Sequence, residues 1–353
     1  MQRKGGGMPD ASAIAPPAGV ITASVVIAAW NAERTIAACI ASALCQAGIT
    51  LEVIVADDAS TDATVAVAAA SQDPRVRIIR CSSNGGPALA RNTAIAAAAG
   101  DWIAVLDADD TMQQGRLAAL IGKSVTHGLD IAADNMWVEP EGSERRLFVT
   151  ESLDGTLERV SFEKFCLYNR LFGARAGYGY LKPVFRSAFL RRTGLRYDTA
   201  LRVGEDFNFV AEALALGARY GRMRSAYYNY TVAAGSISHR LSYADAQAML
   251  QADDRFLLRY GNTLSPGQLA ALQAHRRSVR DGAAFIAMID ALKRRDARAL
   301  LAQTWRCPAA LRHFDMPINA RLHRMRQTAW RAMRLQAVRM EITKPARAWG
   351  ARR

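Results

Sequence analysis

The sequence predicts an α/β fold: a mostly parallel, Rossmann-like sheet flanked by helices, followed by a helical C-terminal region. Between residues 24 and 110, short apolar runs alternate with helix-like segments, which is the pattern of βαβ units. From about Ser242 onward the apolar residues recur at helical spacing, and no strong strand pattern interrupts them.

Four strands and three helices are predicted in the first part of the chain. The strand runs are short, apolar and partly β-branched, and the helical segments carry apolar residues three or four positions apart. The predicted strands are SVVIAAW, LEVIVADD, VRIIRC and DWIAVLDADD, and the helices between them are AERTIAACIASALCQ, DATVAVAAASQ and GPALARNTAIAAAA. Further along, strands are predicted at LDIAADNMWVE, RRLFVT and AYYNYTV, and helices at SFEKFCLYNRLF and GEDFNFVAEALALG.

Length and composition bound the domain organisation. The chain has 353 residues, of which 50% are hydrophobic and 22% charged, as in a globular protein with a large domain and a smaller one. No apolar run approaches the roughly 20 residues of a membrane span, and the Gly-, Ala- and Pro-rich N-terminus lacks the apolar core of a signal peptide. We therefore expect a cytoplasmic protein with a flexible tail over 1–22, a sheet domain over 23–240 and a basic helical region over 241–353.

The charge balance predicts an anionic partner. The net charge is +14, and the stretch 321–353 alone holds ten Lys and Arg residues against one acid. Nucleic acid, an anionic lipid surface or phosphorylated substrates would all be attracted by this positive charge. The five cysteines form no CxxC pair and have no histidine at zinc-ligand spacing, so we expect reduced structural thiols.

Polar residues follow each of the first strands, and in open parallel sheets ligands bind beyond the carboxyl ends of the strands. Asp57 and Asp58 end the second strand side by side. Helix capping by Ser60 or Asp62 explains part of this segment, but not the adjacent pair, which suits the N–H and O–H donors of a nucleoside. In NGGPALARN, the start of the next helix favours an anion and Arg91 adds a cation, although a glycine pair there is usually only a turn.

The VLDADD segment carries the strongest single motif. Asp107 and Asp109 share one face if the strand continues, and their repulsion is relieved if Mg²⁺ or Mn²⁺ bridges them to a substrate phosphate. The alternative is a solvated loop, and for Asp110 we expect only a cap on the following helix. Glu205 and Asp206 begin a helix, where the macrodipole favours acids without any function.

Taken together and in this order, AAWN, VADDAST, NGGPALARN, VLDADD and GED resemble the family 2 glycosyltransferases of the GT-A fold over residues 23 to 240. The later segments YLKPVFR, GLRYD, RVGEDFNF and GSISHR look more narrowly like bacterial exopolysaccharide glucosyltransferases of the succinoglycan type. This resemblance implies inverting, metal-dependent transfer of one sugar, with UDP-glucose as the expected donor.

The resemblance also implies roles for individual residues. Asp206 is the expected general base and Glu205 its assistant or an acceptor ligand. On the nucleotide side, Trp30 lies against the base, Asp58 accepts the uracil N–H beside Asp57, Arg91 faces base or diphosphate, and Asp107 contacts ribose or metal. Mn²⁺ or Mg²⁺ would be held by Asp109, with Asp107 and His239 as further candidates. A lone histidine such as His239 is otherwise more often structural.

The motifs of processive synthases are missing from this sequence. Processive synthases of this family carry QxxRW and membrane helices, whereas this chain has only RQTAWR at Arg326–Arg331, so we expect single-sugar addition.

Residues 322–340 place apolar side chains on one helix face among arginines. Such a helix either packs on the core or lies on an anionic inner-membrane surface, where a lipid-diphosphate-linked glycan acceptor would be found. No nucleic-acid module is recognised.

Two other functions stay open on the sequence alone. A sugar-nucleotide nucleotidyltransferase also uses an α/β nucleotide-binding domain, but VVIAAWNAERT lacks the glycine expected near its first strand. A membrane-associated assembly protein could retain a nucleotide-sugar site without catalysis.

Overall fold

The computed structural model describes residues 22–140, 144–173, 175–232 and 241–315. The strands are β1 (Thr22–Ala29), β2 (Thr50–Asp57), β3 (Val76–Arg80), β4 (Trp102–Asp107), β5 (Thr111–Met112), β6 (Ile131–Pro140), β7 (Arg146–Leu147), β8 (Leu157–Val160), β9 (Val184–Arg186) and β10 (Tyr220–Val232). The helices are α1 (Ile36–Leu44), α2 (Thr64–Ala69), α3 (Pro87–Ala97), α4 (Arg116–His127), α5 (Phe162–Tyr168), α6 (Ser187–Thr193), α7 (Glu205–Ala215), α8 (Tyr243–Tyr260), α9 (Pro266–Lys293) and α10 (Ala297–Arg306). Short 3₁₀ helices span Tyr178–Tyr180 and Pro308–Phe314.

The strands join into one open sheet, and its order is β3-β2-β1-β4-β9-β6-β10-β5. The first four strands in this order are parallel, and the register places Ala29 opposite Asp57 and Ala28 opposite Asp107. The carboxyl ends of β1, β2 and β4 therefore meet at one edge of the sheet, as the βα alternation predicts. The fold class predicted from the sequence is confirmed.

The second half of the sheet mixes directions. Strand β9 runs antiparallel between β4 and β6, and β10 pairs in parallel with β6. The sequence did not predict β9, because three residues are too few to show an alternating pattern. The predicted strand RRLFVT contains only the two paired residues of β7, which lie antiparallel to β6.

Small side chains on α3 allow this helix to lie close to the sheet. Ala88, Ala90 and Ala94 are fully buried on α3, and the strands below them carry buried branched residues such as Val25 and Ile54. Strands buried on both faces read as continuous apolar runs, which explains why β1, β2 and β4 are recognisable in the sequence. The core of the sheet therefore fixes the edge at which the strands end.

A buried ion pair ties α4 to the second half of the sheet. The Arg116 guanidinium donates through Nε and Nη2 to Asp134 Oδ1, at 3.0 and 2.9 Å, and both side chains are fully buried. Asp134 Oδ2 accepts the backbone N–H of Tyr227 at 2.8 Å, and Arg116 also donates to the carbonyl of Lys182. This one pair therefore positions α4, β6, β10 and the segment before β9.

We expect Arg116→Met to lower the free energy of unfolding by about 3–5 kcal/mol, because it leaves the buried Asp134 carboxylate without its cation. Denaturant unfolding measures this loss. Lys123→Met on the exposed face of the same helix is the control and should change stability by no more than about 0.5 kcal/mol. Equal effects of the two substitutions would contradict the importance of the pair.

The chain divides into two compact units between Val279 and Arg280, within α9, whereas the sequence places a boundary near residue 240. In the second unit, Phe285 meets Phe314 edge to face at 5.2 Å, and Arg312 pairs with Asp281 at 2.7 Å. None of the helices in the described ranges is both long enough and apolar enough to cross a membrane.

Candidate functional site

The loops that follow β1 and β2 are tied to each other. The backbone N–H of Asn31 donates to Ser60 Oγ at 3.0 Å, and Asn31 Oδ1 accepts the N–H of Thr61 at 2.9 Å. Asn31 has a φ of 48°, a conformation that asparagine tolerates better than most residues. Trp30, directly before it, remains 51% exposed. An aromatic surface is therefore held at the edge where the parallel strands end.

Asp57 and Asp58 lie at this edge, but both are buried. The two carboxylate oxygens of Asp58 accept the N–H groups of Gly85 and Gly86, each at 2.8 Å. Gly86 has a φ of 87°, which requires glycine. The amides predicted to favour an anion are therefore bonded to Asp58 instead. Oδ1 of Asp57 is buried without a hydrogen-bond partner in the described part of the chain, so a ligand would reach this oxygen only after the surrounding loops move.

Five charged side chains from four parts of the chain meet beyond the ends of the strands. Arg91 on α3 contacts Asp107 at 2.8 Å, Glu205 at 2.7 Å and Asp206 at 3.2 Å. Lys182 contacts Asp107 at 2.8 Å and Asp206 at 2.9 Å. We call these five residues the ion cluster. Sequence reasoning predicted Arg91, Asp107, Glu205 and Asp206 as site residues, and the structure brings all four together.

Lys182 is the member of the ion cluster that sequence reasoning missed. Its side chain is only 7% exposed, and its Nζ lies between the two carboxylates. A buried lysine is almost always paired, so the charged residue inside the apolar segment YLKPVF was the available signal. Nothing in the local periodicity shows that this segment enters the sheet beside β4.

The surrounding charges shift the pKa values of two carboxylates in the ion cluster in opposite directions. Burial raises the pKa of Asp107, but the charges of Lys182 and Arg91 outweigh it and hold this pKa well below its usual range. Burial, then repulsion from Asp206, raise the pKa of Glu205 against the opposing effect of Arg91. With three carboxylates and two cations, the ionised cluster carries one net negative charge.

The carboxylates of VLDADD have different environments. Asp109 is half-buried and forms no ion pair among the described residues, and its pKa is raised by burial and then by repulsion from Asp107. Asp110 is fully buried and accepts the Tyr228 hydroxyl at 2.7 Å and the Thr231 N–H at 2.8 Å. The prediction that Asp110 caps the next helix is wrong, because it fixes the end of β10 instead.

The predicted metal ligands are only partly described. His239 lies outside the described residues, and no group of three His, Cys, Asp or Glu side chains within them is arranged to hold a metal. Both oxygens of Asp107 already contact cationic side chains. Of the two candidate carboxylates that the structure describes, Asp109 is the one without an ion pair, and a divalent cation would relieve its repulsion from Asp107. The residues present therefore fit a cation bound through Asp109 and substrate oxygens.

Comparisons with known proteins agree on one family. The family model described as glycosyl transferase family 2 matches residues 24–191. The succinoglycan biosynthesis protein ExoO of Rhizobium meliloti is 43% identical over 303 residues, covering 85% of this chain and 86% of that protein. ExoU of the same organism is 39% identical over 267 residues, covering 73% and 75%.

A solved structure shares the fold. The crystal structure of S. aureus TarS 1–349 in complex with UDP-GlcNAc superimposes with a TM-score of 0.57 at 19% identity, covering 81% of this chain and 92% of that one. At this identity the likeness concerns the fold alone, and it agrees with the parallel sheet described above.

Proposed function

The chain belongs to glycosyl transferase family 2, and we propose that it transfers one sugar from a UDP-sugar, in first place UDP-glucose, to a hydroxyl of a glycan acceptor. The acceptor would be linked to a lipid diphosphate, and the product would be part of a bacterial exopolysaccharide. The names of ExoO and ExoU, both succinoglycan biosynthesis proteins, support a role in exopolysaccharide synthesis. The UDP-GlcNAc complex of TarS supports a nucleotide-sugar donor. Family membership favours sugar transfer over the nucleotidyltransferase and non-catalytic alternatives.

The observation that carries this proposal is the ion cluster. Arg91 and Lys182 each contact both Asp107, at the end of β4, and Asp206, at the start of α7. These carboxylates lie far apart in the sequence, and the two cations hold them at one place. An inverting transfer needs the donor sugar and the acceptor hydroxyl to be aligned. Asp107, on the proposed donor side, and Asp206, the candidate base, lie close enough together to serve such an arrangement.

In the proposed step, the acceptor hydroxyl oxygen attacks the anomeric carbon on the face opposite the leaving group. The new C–O bond forms as the bond to the diphosphate oxygen breaks, and UDP leaves with that electron pair. The hydroxyl proton passes to the Asp206 carboxylate, which acts as general base. No protein nucleophile takes part, so the anomeric configuration inverts.

The nucleotide would lie along the loops after β1 and β2. Trp30 offers an aromatic face for the base. Oδ1 of Asp57 is buried without a hydrogen-bond partner among the described residues, so it would accept a nucleobase N–H only if the loops around it open. Asp58 would act beside them by holding the Gly85–Gly86 turn. Mn²⁺ or Mg²⁺ at Asp109 would offset the negative charge that grows on the leaving diphosphate. His239 is retained as a further candidate ligand.

A screen of nucleotide sugars by thermal unfolding tests the donor. UDP-glucose with Mn²⁺ should stabilise the protein by about 2.7 kcal/mol at a concentration a hundred times the dissociation constant. GDP- and ADP-glucose serve as matched controls for the base, and EDTA for the metal. Equal stabilisation by all three nucleotides would exclude uracil recognition, and no stabilisation by any of them would remove the support for a donor site.

Replacing Lys182 tests whether the cluster serves transfer. A hydrogen bond to a charged group contributes roughly 1.5–3 kcal/mol, so we expect Lys182→Met to lower kcat about 10–100-fold. Lys182→Arg keeps the charge and should recover part of the rate. Lys164→Met removes another paired lysine, which contacts Glu158 outside the cluster, and should leave kcat near that of the wild type. Wild-type kcat in Lys182→Met would remove this residue from the proposed mechanism.

Membrane association is proposed for the C-terminal helices. The arginine-rich segment 322–340 lies outside the described residues, but α10 exposes Leu301 (69%) and Trp305 (89%) four positions apart. Arg298 and Arg306 flank them in sequence, as in helices that lie on anionic lipid. Co-sedimentation with phosphatidylglycerol vesicles should fall in Leu301→Ser/Trp305→Ser, and unchanged binding would argue against a role for α10.

A further inference from the structure

One exposed aromatic side chain beside the ion cluster has no role in the steps above. Tyr180 is 46% exposed and ends the 3₁₀ helix Tyr178–Tyr180, two residues before Lys182. Large aromatic side chains are usually buried, and one held at a polar cleft offers both an apolar face and a hydroxyl.

The turn that carries Tyr180 is held by hydrogen bonds, and the Tyr180 ring packs against one neighbouring ring. Its backbone N–H donates to Gly177 O at 3.1 Å, and the N–H of Gly179 donates to Asn169 Oδ1 at 2.6 Å. The Phe148 ring lies 5.8 Å away, tilted by 54°. A methyl group at Gly177 would lie 3.3 Å from the Tyr180 ring, so the turn passes close to the edge of this ring. Packing on one side restricts the ring while leaving the other side exposed, which lowers the entropic cost of binding a ligand.

The same turn packs against the start of the helix that carries the candidate base. A methyl group at Gly179 would lie 3.4 Å from Cβ of Phe207, the residue that follows Asp206. On the other side of Tyr180, Lys182 contacts Asp206 at 2.9 Å. The residues on both sides of Tyr180 in the sequence therefore lie against Asp206 or against the residue that follows it.

We propose that Tyr180 is a stacking platform for a pyranose ring of the acceptor, next to the carboxylate of Asp206. The C–H face of a pyranose is apolar while its edge carries hydroxyls, which matches an exposed tyrosine ring beside charged groups. The acceptor is the substrate whose hydroxyl must reach the base within hydrogen-bond distance. Trp30, at the end of β1, serves the nucleotide instead. This inference rests on the proposed sugar transfer.

Kinetics with both substrates varied test the proposal. The probes are UDP-glucose and a panel of octyl β-glycosides of glucose, galactose and N-acetylglucosamine. Tyr180→Ala should raise KM for the accepted glycoside about tenfold, with KM for UDP-glucose unchanged, and Tyr180→Phe should keep the wild-type value. Trp30→Ala should do the reverse, raising KM for the donor only. Thermal unfolding checks that each variant folds.

The outcomes separate this inference from the proposed function. If Trp30→Ala weakens the donor and Tyr180→Ala leaves acceptor KM unchanged, the platform is refuted while sugar transfer stands. A lowered melting temperature with unchanged acceptor KM gives Tyr180 a structural role with Phe148 and also refutes the platform. If UDP-glucose binds but no glycoside of the panel is glycosylated, the affinity of the glycosides for the UDP-bound protein is measured instead, and equal affinity in wild type and Tyr180→Ala refutes the platform. Absence of any donor binding refutes the proposed function itself.

Discussion

Asp206→Asn is expected to lower kcat by about 10²–10⁴-fold, the contribution of a positioned general base. Asparagine keeps the size and the hydrogen-bonding edge of the side chain but does not take up the acceptor proton. Donor binding should persist, because the contacts proposed for nucleotide and metal lie on other residues. Steady-state transfer rates and thermal stabilisation by UDP-glucose with Mn²⁺ measure the two quantities separately.

The control for this variant lies on the same helix. Glu212 is also on α7, but its carboxylate contacts Asn208 and the Tyr260 hydroxyl, at 2.8 and 2.9 Å, outside the ion cluster. Glu212→Gln should therefore keep kcat near the wild-type value. Normal turnover by Asp206→Asn would refute the base assignment. A comparable loss in Glu205→Gln alone would move that assignment to the neighbouring acid.

Asp109→Ala is expected to remove the Mn²⁺-dependent part of donor affinity. Losing an outer-shell partner already costs roughly 10–100-fold in metal affinity, so losing the direct ligand should cost at least as much. Asp109 forms no ion pair among the described residues, and its removal should leave the fold intact. Titration of UDP-glucose with and without Mn²⁺ measures the difference.

Two comparisons make the Asp109 result specific. Asp154→Ala removes another partly exposed carboxylate, which lies 3.7 Å from Arg224 and away from VLDADD, and should keep the metal effect. EDTA should bring wild-type affinity down to that of Asp109→Ala and leave the variant unchanged. Metal-dependent affinity that survives in Asp109→Ala would refute the assignment.

The sequence predicted the first half of the sheet well because its signals are local. Strands β1, β2 and β4 are largely apolar runs, and the helical segments between the strands carry apolar residues three or four positions apart. The order in which polar residues follow the strands predicted which side chains meet at the edge. Asp107 and Asp206 were named from motifs that are far apart, and they meet through the cations between them.

The remaining parts of the site depend on tertiary pairing. Lys182 enters the cluster because β9 inserts between β4 and β6, which no local pattern indicates. Asp58 bonds to the amides of Gly85 and Gly86, and Asp110 to Tyr228. These partners lie on different elements, so the sequence alone predicted polar residues at the right places but assigned Asp110 the wrong contact.

The central position of β9 constrains how a nascent chain can fold during its synthesis. Strands β1 to β4 can pair as soon as residue 107 has left the ribosome, but β4 keeps an open edge until Val184–Arg186 arrive. Unpaired edges of partly folded chains promote aggregation. Until then Asp107 also lacks Lys182, which contacts it at 2.8 Å. Lys182 directly precedes this strand. Chain elongation therefore couples closure of the open edge of β4 to the arrival of the second cation beside Asp107.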